Sequence, residues 1–197
     1  MSVIASDPSA GLPRLKPNFA KILEAILFVI ELSEKDDCEL TQFEIAKTVF
    51  LADYRHLTNY GRPVTFDNFT AMRWGPVPSL TYDMLKPSFN WRAHGMDGPP
   101  WRSETVAETK RHYSKPARPA NLRKLSESDV GELREAFAMV KAMGFLKTSD
   151  FTHKLPAYKD AWDSRGQNKA KDMDLRRLLP DFDADMIADL QHASRFA

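Results

Sequence analysis

Three short motifs shape the first half of this chain: KTVFLAD at residues 47–53, YGRPVT at residues 60–65 and WGPVPS at residues 74–79. The first lies in a stretch whose apolar residues recur at helical spacing, and the capping-box pattern TQFE at residues 41–44 predicts where that helix begins. Gly61 and Pro63 predict where it ends, because glycine tolerates a left-handed conformation and proline cannot continue the hydrogen-bond ladder. The GPVP unit of the third motif predicts a rigid turn.

The sequence on either side of these motifs predicts further helices. Apolar residues from Phe19 to about Ser33 recur at helical spacing and form a wide apolar face. Ser126 suits an N-cap because acidic residues follow it in the first turn, and we expect that helix to end at Gly144. Pro156 suits the first turn of another helix, where its missing N–H would be unpaired in any case. The last two predicted helices cover residues 172–179 and 183–193.

Two segments with weaker helical periodicity are predicted as strands. Residues 69–73 and 105–115 carry apolar side chains at strand-like spacing, and we expect them to pair. The predicted fold class is therefore mainly α, with a small antiparallel β-hairpin, in a single compact helical domain. The predicted organisation is a flexible N-terminal leader over residues 1–18, a helical domain over 19–179 and a C-terminal helical extension over 180–197.

The composition is that of an ordinary globular chain of 197 residues. Lysine and arginine number 28, and aspartate and glutamate 27, so the net charge of +1 creates no global field that would attract nucleic acid. The one cysteine, Cys38, can form no disulfide within the chain, which favours a reducing compartment. The longest apolar stretch is far shorter than the roughly 20 residues that cross a membrane, so we expect a cytoplasmic protein.

The chain lacks the usual sequence patterns of catalytic and metal sites. Its five histidines show no spacing typical of zinc ligands, and no glycine-rich phosphate loop or GxSxG nucleophile motif occurs. We therefore expect no catalytic residue, no metal and no cofactor. An enzyme that uses Asp53, His56 and His153 is a less favoured hypothesis, which requires these side chains to converge in a cleft.

Charge is distributed unevenly along the second half of the chain. Residues 102–124 contain seven basic and two acidic residues, so the net charge of this segment is +5. Aromatic residues interleave with the basic ones, which makes a winged-helix-like DNA-binding regulator that represses its own gene an alternative function. A solvated basic face, or a docking surface for an acidic protein partner, is the favoured interpretation because the net charge of the chain is near zero. Aspartates at positions 181, 183, 185 and 189 can pair with this segment within the molecule or in a homodimer.

Aromatic residues cluster around the GPVP unit, and aromatic and arginine side chains often anchor protein interfaces. For Trp74 and Tyr82 we expect burial in the core. For Trp91 and Trp101, in a loop rich in glycine and proline, we expect contact with a partner. The predicted partner-binding residues are Trp91, Trp101, Arg111 and Tyr113.

The three motifs, in this order and at this spacing, resemble the Panacea domain, the SocA-like antitoxin family. The resemblance extends more weakly through residues 125–129 and the region of His153 and Trp162, so that it covers about residues 19–179. The residues of this chain that carry the family motif are Asp53, His56, Tyr60, Gly61, Arg62, Pro63, Asp67, Trp74, Gly75, Pro76, Val77, Pro78, His153 and Trp162.

Most of these motif residues are expected to be architectural. The glycines and prolines would set turns, and Asp53, Arg62 and Asp67 would act as polar staples between them. Two positions depart from the family pattern: Phe66 stands where relatives commonly carry glycine, and Lys154 stands where an acidic residue is usual.

The resemblance implies an antitoxin of a type II-like toxin–antitoxin system, encoded by a bacterium or a phage, that neutralises a cognate protein toxin by direct binding. One member of the family is a proteolytic adaptor that delivers its toxin to a ClpXP-type protease, so delivery is an alternative to masking. Because the family pairs one fold with unrelated toxins, the activity of the toxin does not follow. The leading hypothesis is therefore an antitoxin, and the DNA-binding regulator is the alternative.

Overall fold

Helices dominate the fold in a computed structural model that describes residues 11–107 and 110–197. The α-helices of these residues are α1 (Phe19–Lys35), α2 (Gln42–Tyr60), α3 (Ser79–Met84), α4 (Glu127–His153), α5 (Pro156–Asp163) and α6 (Ala184–Ala193). The strands are β1 (Phe69–Met72), β2 (Gly75–Pro78), β3 (Arg102–Ala107), β4 (Lys110–Ser114) and β5 (Ala170–Asp172). Short 3₁₀ helices cover Trp91–His94, Leu122–Lys124 and Leu175–Arg177. The predicted mainly α class is confirmed.

Helix α1 forms the centre of the core because almost every face of it is apolar. Its residues from Ile22 to Ile30 are all buried. Burial of one large aliphatic side chain contributes about 1.5–3 kcal/mol, so this helix supplies a large share of the stabilising free energy. The charged Glu24 is tolerated in the buried stretch because its two carboxylate oxygens accept hydrogen bonds from Arg118 at 2.6 and 2.8 Å.

Helices α2 and α4 pack against each other in antiparallel orientation. Near the start of α2, the Glu44 carboxylate accepts a hydrogen bond from Lys141 Nζ of α4 at 2.8 Å. Near the end of α2, His56 Nε2 lies 3.1 Å from Asp129 Oδ1 in the first turn of α4. A lysine–glutamate contact thus joins the two helices near the start of α2, and a histidine–aspartate contact joins them near its end.

The helix ends largely follow the predicted signals. The capping box at Thr41 and the N-cap at Ser126 are present, and Gly61 ends α2 with φ 73°. The helical conformation stops at Gly144, as predicted, with φ 67° and ψ −176°, and α4 continues beyond this kink as a second helical segment to His153. Residues 172–179, predicted as a helix, instead contain the end of β5 and one 3₁₀ turn. None of the helices in the described part of the chain is long and apolar enough to cross a membrane.

The strand pairing differs from the prediction. Strand β1 pairs antiparallel with β2 on one side, with Phe69 opposite Pro78, and with β5 on the other side. The predicted pairing of residues 69–73 with residues 105–115 is wrong, because β3 and β4 form a separate hairpin. The GPVP unit is an edge strand rather than a turn, since an edge strand tolerates prolines that lack an N–H group.

Both ends of the described chain pack onto the helical core. Residues 1–10 of the predicted flexible leader lie outside the described residues. Leu15 is buried, and its N–H donates to Asn68 Oδ1 at 3.0 Å, so this part of the leader packs against the core. Ser194, just after α6, accepts a hydrogen bond from the Lys16 N–H at 3.0 Å, which ties the C-terminal helix to the same segment.

Two buried carboxylates join α2, the loop after it and α3. Asp53 accepts hydrogen bonds from the N–H of Thr65 at 2.8 Å and from its hydroxyl at 2.5 Å. The Thr65 hydroxyl oxygen accepts in turn from the Asp67 N–H at 3.2 Å. The Asp67 carboxylate caps α3, because it accepts from the N–H groups of Leu80 and Thr81 at 3.0 and 2.8 Å. Burial raises the pKa of Asp53 to about 7.

The substitution Asp53→Asn tests this network through its pH dependence. The folded-state pKa lies above the value of about 3.9 for an unfolded chain, so the folded protein holds the proton more tightly. The stabilising contribution of protonated Asp53 is therefore complete below about pH 4 and is lost as the pH rises through about 7. Relative to Asp53→Asn, we expect the free energy of unfolding of the unsubstituted protein to fall by more than about 1 kcal/mol from about pH 5 to about pH 8.

Urea unfolding at the two pH values measures this difference. The exposed Asp97→Asn provides the control for removing a carboxylate that is not buried. A stability difference between Asp53→Asn and the unsubstituted protein that does not change with pH would contradict the assignment of a buried titrating group.

Candidate partner-binding groove

Asp129, in the first turn of α4, is the buried centre of a polar network around the YGRP turn. Its Oδ1 lies 2.9 Å from Arg62 Nη1 and 3.1 Å from His56 Nε2. Its Oδ2 accepts hydrogen bonds from Lys21 Nζ at 2.8 Å and from the Ser126 N–H at 2.9 Å. A single carboxylate therefore connects α1, α2, the turn after α2 and the N-cap of α4.

The ionised state of Asp129 depends on these donors. Burial alone would raise the pKa of the Asp129 carboxyl, but hydrogen bonds from Lys21 and the Ser126 N–H help to hold that pKa well below its usual range. His56 Nδ1 donates to the Arg62 carbonyl oxygen at 2.7 Å, and its ring packs against Tyr60 with centroids 4.5 Å apart. His56 thus ties the end of α2 to the turn that follows it.

Each of the three residues of the catalytic hypothesis has its own hydrogen-bond partner. In the described part of the chain, no hydrogen bond joins any two of Asp53, His56 and His153. His153 Nε2 lies 3.3 Å from Ser149 Oγ, and its ring stacks on Tyr158 with centroids 4.5 Å apart. Among residues 11–107 and 110–197, no group of three or more His, Cys, Asp or Glu side chains is placed to hold a metal ion.

The remaining motif residues divide into buried and exposed ones. Trp162 is half-buried, with its ring 5.9 Å from Tyr158 and the Arg165 guanidinium 3.5 Å from its centroid. Tyr60 is 57% exposed and Trp74 is 45% exposed. The buried members are Pro63, Asp67, Gly75, Pro76, Val77 and Pro78.

A groove of about 800 Å³ lies at the N-terminal end of α2, away from the Asp129 network. Its walls are the start of α2, the turn that joins β1 to β2, and α4 near its kink. Tyr82 of α3 and Arg111 of β4 also contribute to the lining. The side chains that matter most for its chemistry are Phe43, Lys47, Arg73, Trp74, Lys141 and Phe145.

Two aromatic side chains of this groove remain about half-exposed. Trp74 is 45% exposed and Phe145 is 43% exposed, and their rings meet edge to face with centroids 5.1 Å apart. Phe43 packs on Phe145 at 4.5 Å, and the Arg73 guanidinium lies 4.8 Å from the Trp74 ring centroid. Exposed tryptophan beside arginine is typical of the residues that anchor protein interfaces. The groove is therefore the candidate site for a protein partner.

Lys47 of α2 contacts both β2 and α4 beside the groove. Its side chain is buried, and Nζ donates to the Pro76 carbonyl oxygen at 2.8 Å and lies 3.5 Å from Thr152 Oγ1. Burial lowers the pKa of the Lys47 ammonium well below its usual range. Gly75 has φ 96°, and a Cβ at this position would lie 2.5 Å from both Lys47 Nζ and Thr152 Oγ1. The backbone beside Trp74 can pass over Lys47 because residue 75 has no side chain.

Three of the four predicted partner-binding residues are buried within the chain itself. Trp91 and Trp101 are each 6% exposed, and their rings pack edge to face with centroids 5.3 Å apart. Tyr113 is buried, and its hydroxyl donates to the Leu85 carbonyl oxygen at 2.6 Å. The prediction that these three side chains are available to a partner is wrong, because the loop with Trp91 and Trp101 folds back onto the core and Tyr113 of β4 is buried there too. Arg111 lies in the lining of the groove.

The prediction that Trp74 is buried in the core is also wrong. Trp74 occupies the tight turn between β1 and β2, which projects its ring to the solvent side of the groove. Sequence reasoning missed Phe145 because it assigned no helix to the residues directly after Gly144. It missed Lys47 because a lysine on an otherwise buried helical stripe gives no sign of its distant partners.

These features define a mainly helical protein in which many motif residues are buried and a groove presents aromatic side chains to solvent. The model of the family described as antitoxin SocA-like, Panacea domain, matches residues 45–159. The chain belongs to this family, which confirms the resemblance of its motifs. The matched segment includes Lys47, Trp74 and Phe145. No curated protein and no solved structure matches the chain.

Arg62→Ala tests the Asp129 network. The substitution leaves Asp129 Oδ1 without its guanidinium partner, and we expect the free energy of unfolding to fall by about 1–3 kcal/mol. Urea unfolding measures the effect, and the exposed Arg92→Ala is the control. Unchanged stability would contradict a stabilising role of Arg62 in the fold.

Gly75→Ala tests the close approach over Lys47. The added Cβ would lie 2.5 Å from two side-chain atoms, and the alanine would have to adopt an unfavourable positive φ. We therefore expect a loss of stability of roughly 1–3 kcal/mol. Thermal denaturation measures it. Gly98→Ala is the matched control because no atom lies within 4 Å of its added Cβ. Equal melting temperatures for the two variants would contradict the described packing.

Proposed function

We propose that this protein is an antitoxin that neutralises a cognate protein toxin by binding it directly at the groove. Membership of the SocA-like family supports an antitoxin role in general. The observation that carries the choice of surface is the pair of half-exposed rings of Trp74 and Phe145. Large apolar groups in a concave, partly shielded surface gain most from the removal of water by a partner.

The construction of the groove favours tight binding. Lys47 and Gly75 hold the strand next to Trp74, and Phe43 supports Phe145 from the side. A surface that is ordered before binding loses little conformational entropy in the complex, so more of the contact free energy appears as affinity. A stoichiometric inhibitor needs this property because free toxin must be kept scarce.

Direct binding requires no catalysis by the antitoxin, so we propose that the protein is not an enzyme. We also propose that it acts in the cytoplasm. Two fates of the bound toxin agree with this role. Masking of the toxin leaves its cellular amount unchanged, whereas delivery to a ClpXP-type protease removes it.

The DNA-binding alternative receives less support. The basic segment forms the β3–β4 hairpin and the loop after it, and Arg118 in that loop is engaged by Glu24 of α1. An autorepressor would bind its own promoter, and that binding would weaken steeply between about 50 and 200 mM salt. A homodimer remains a prediction, to be measured by the mass of the purified protein in solution.

Co-expression with the product of the neighbouring open reading frame tests the proposal. We expect the neighbour alone to stop growth, and the antitoxin to restore growth and to co-purify with it. Loss of the neighbour protein during rescue, reversed in cells without ClpX, would identify delivery. A neighbour that is harmless and does not co-purify would contradict the proposed function.

Substitutions in the groove test the choice of surface. We expect Trp74→Ala and Phe145→Ala each to weaken the complex about tenfold or more, because each removes a large apolar anchor. Leu122→Ala is a matched control, since Leu122 is 47% exposed and lies outside the groove lining. Full affinity in both folded groove variants would show that the toxin binds elsewhere.

A further inference from the structure

Several charges around the groove already compensate each other. Lys141 Nζ lies 2.8 Å from Glu44 Oε1, so these two lining residues form an ion pair. The other carboxylate of the lining, Glu39, has its Oε2 3.5 Å from His112 Nε2. Lys47 is buried and donates to the Pro76 carbonyl oxygen. Because these groups already have partners, they are poorly available to a new ligand.

Arg73 and Arg111 differ from them. Among residues 11–107 and 110–197, neither arginine has a carboxylate within ion-pair distance. The exposed Arg73 places its guanidinium over the Trp74 ring, and Arg111 Nη2 donates to the Thr105 hydroxyl oxygen at 3.1 Å. Neither contact neutralises a charge. The groove therefore combines an apolar floor with two arginines able to bind an anion.

We propose that the groove binds an acidic segment of the partner protein, in which a large apolar side chain packs on Trp74 and Phe145 and flanking carboxylates pair with Arg73 and Arg111. A guanidinium can donate two parallel hydrogen bonds to one carboxylate, which fixes direction as well as charge. The identity of the partner rests on the proposed function, whereas the chemistry of the segment follows from the groove.

The small number of free cations in the lining favours a polypeptide over a nucleic acid. A peptide can place its few carboxylates beside the two arginines alone, whereas a continuous phosphate backbone needs a longer row of unpaired basic side chains. The net charge of +1 on the whole chain adds no long-range attraction for a polyanion. Recognition at this groove is therefore local.

Titration of the whole protein with a defined peptide, followed by NMR, tests the inference. The probe is EEFEE with blocked ends, and QQFQQ is its uncharged counterpart of the same shape. The reporter is the indole N–H signal of Trp74, identified as the one among four tryptophan signals that Trp74→Phe lacks. We expect millimolar EEFEE to shift this signal with a Kd about tenfold lower than that of QQFQQ at low salt, and the advantage to shrink as salt is added.

Charge-removing variants locate the effect. We expect Arg73→Gln and Arg111→Gln each to weaken EEFEE binding about threefold or more and to leave QQFQQ binding unchanged. The exposed Arg92→Gln is the control. Equal binding of the two peptides, binding of neither, or tighter binding of a single-stranded thymidine oligonucleotide would overturn the inference.

The peptide result is independent of the co-expression result. If the neighbour complex depends on Trp74 but EEFEE does not bind, the antitoxin function stands and the acidic chemistry is rejected. If EEFEE binds at the two arginines but the neighbour is harmless, the acidic specificity of the groove stands and the antitoxin function is rejected.

Discussion

The buried carboxylate of Asp129 is the constraint on which the arrangement of the long helices depends. Taking a carboxylate out of water costs several kcal/mol unless other charges and hydrogen bonds replace the water. In this protein the replacement comes from Lys21 of α1, His56 at the end of α2 and Arg62 in the following turn. These donors reach Asp129 only when the C-terminal end of α2 lies beside the first turn of α4. The charge therefore selects one packing of the helices over others of equal hydrophobic burial.

The groove follows from this packing. Because α2 and α4 are antiparallel, the start of α2 faces the part of α4 around the Gly144 kink, and Phe145 lies directly beyond it. Lys47 then joins the β2 strand to the last turns of α4, which fixes the turn that carries Trp74. One end of the helix pair thus serves stability, and the other end presents side chains that a partner can cover.

Local signals in the sequence predicted the ends of helices well and their partners poorly. The capping box at Thr41 and the left-handed Gly61 depend on neighbouring residues alone, so their patterns could be recognised directly. The GPVP strand was mistaken for a turn because prolines favour turns locally, although an edge strand tolerates them too. The burial of Trp91 and the contacts of Lys47 depend on residues far away in the chain, which periodicity does not reveal.

The scaffold and the groove of this protein depend largely on different residues. Substitution of Asp129 or Lys47 leaves buried polar groups without partners and lowers stability. The fold therefore requires these two residues. Arg73, Arg111 and Phe145 lie outside the three motifs and keep part of their surface in water, where substitutions usually change stability by only about 0.5 kcal/mol. Their chemistry can therefore vary without loss of the scaffold. Trp74 belongs both to the residues that the fold requires and to the groove surface. Gly75 and Lys47 fix the turn that carries it, while its ring faces the groove. The stable framework and the variable surface therefore meet at this residue.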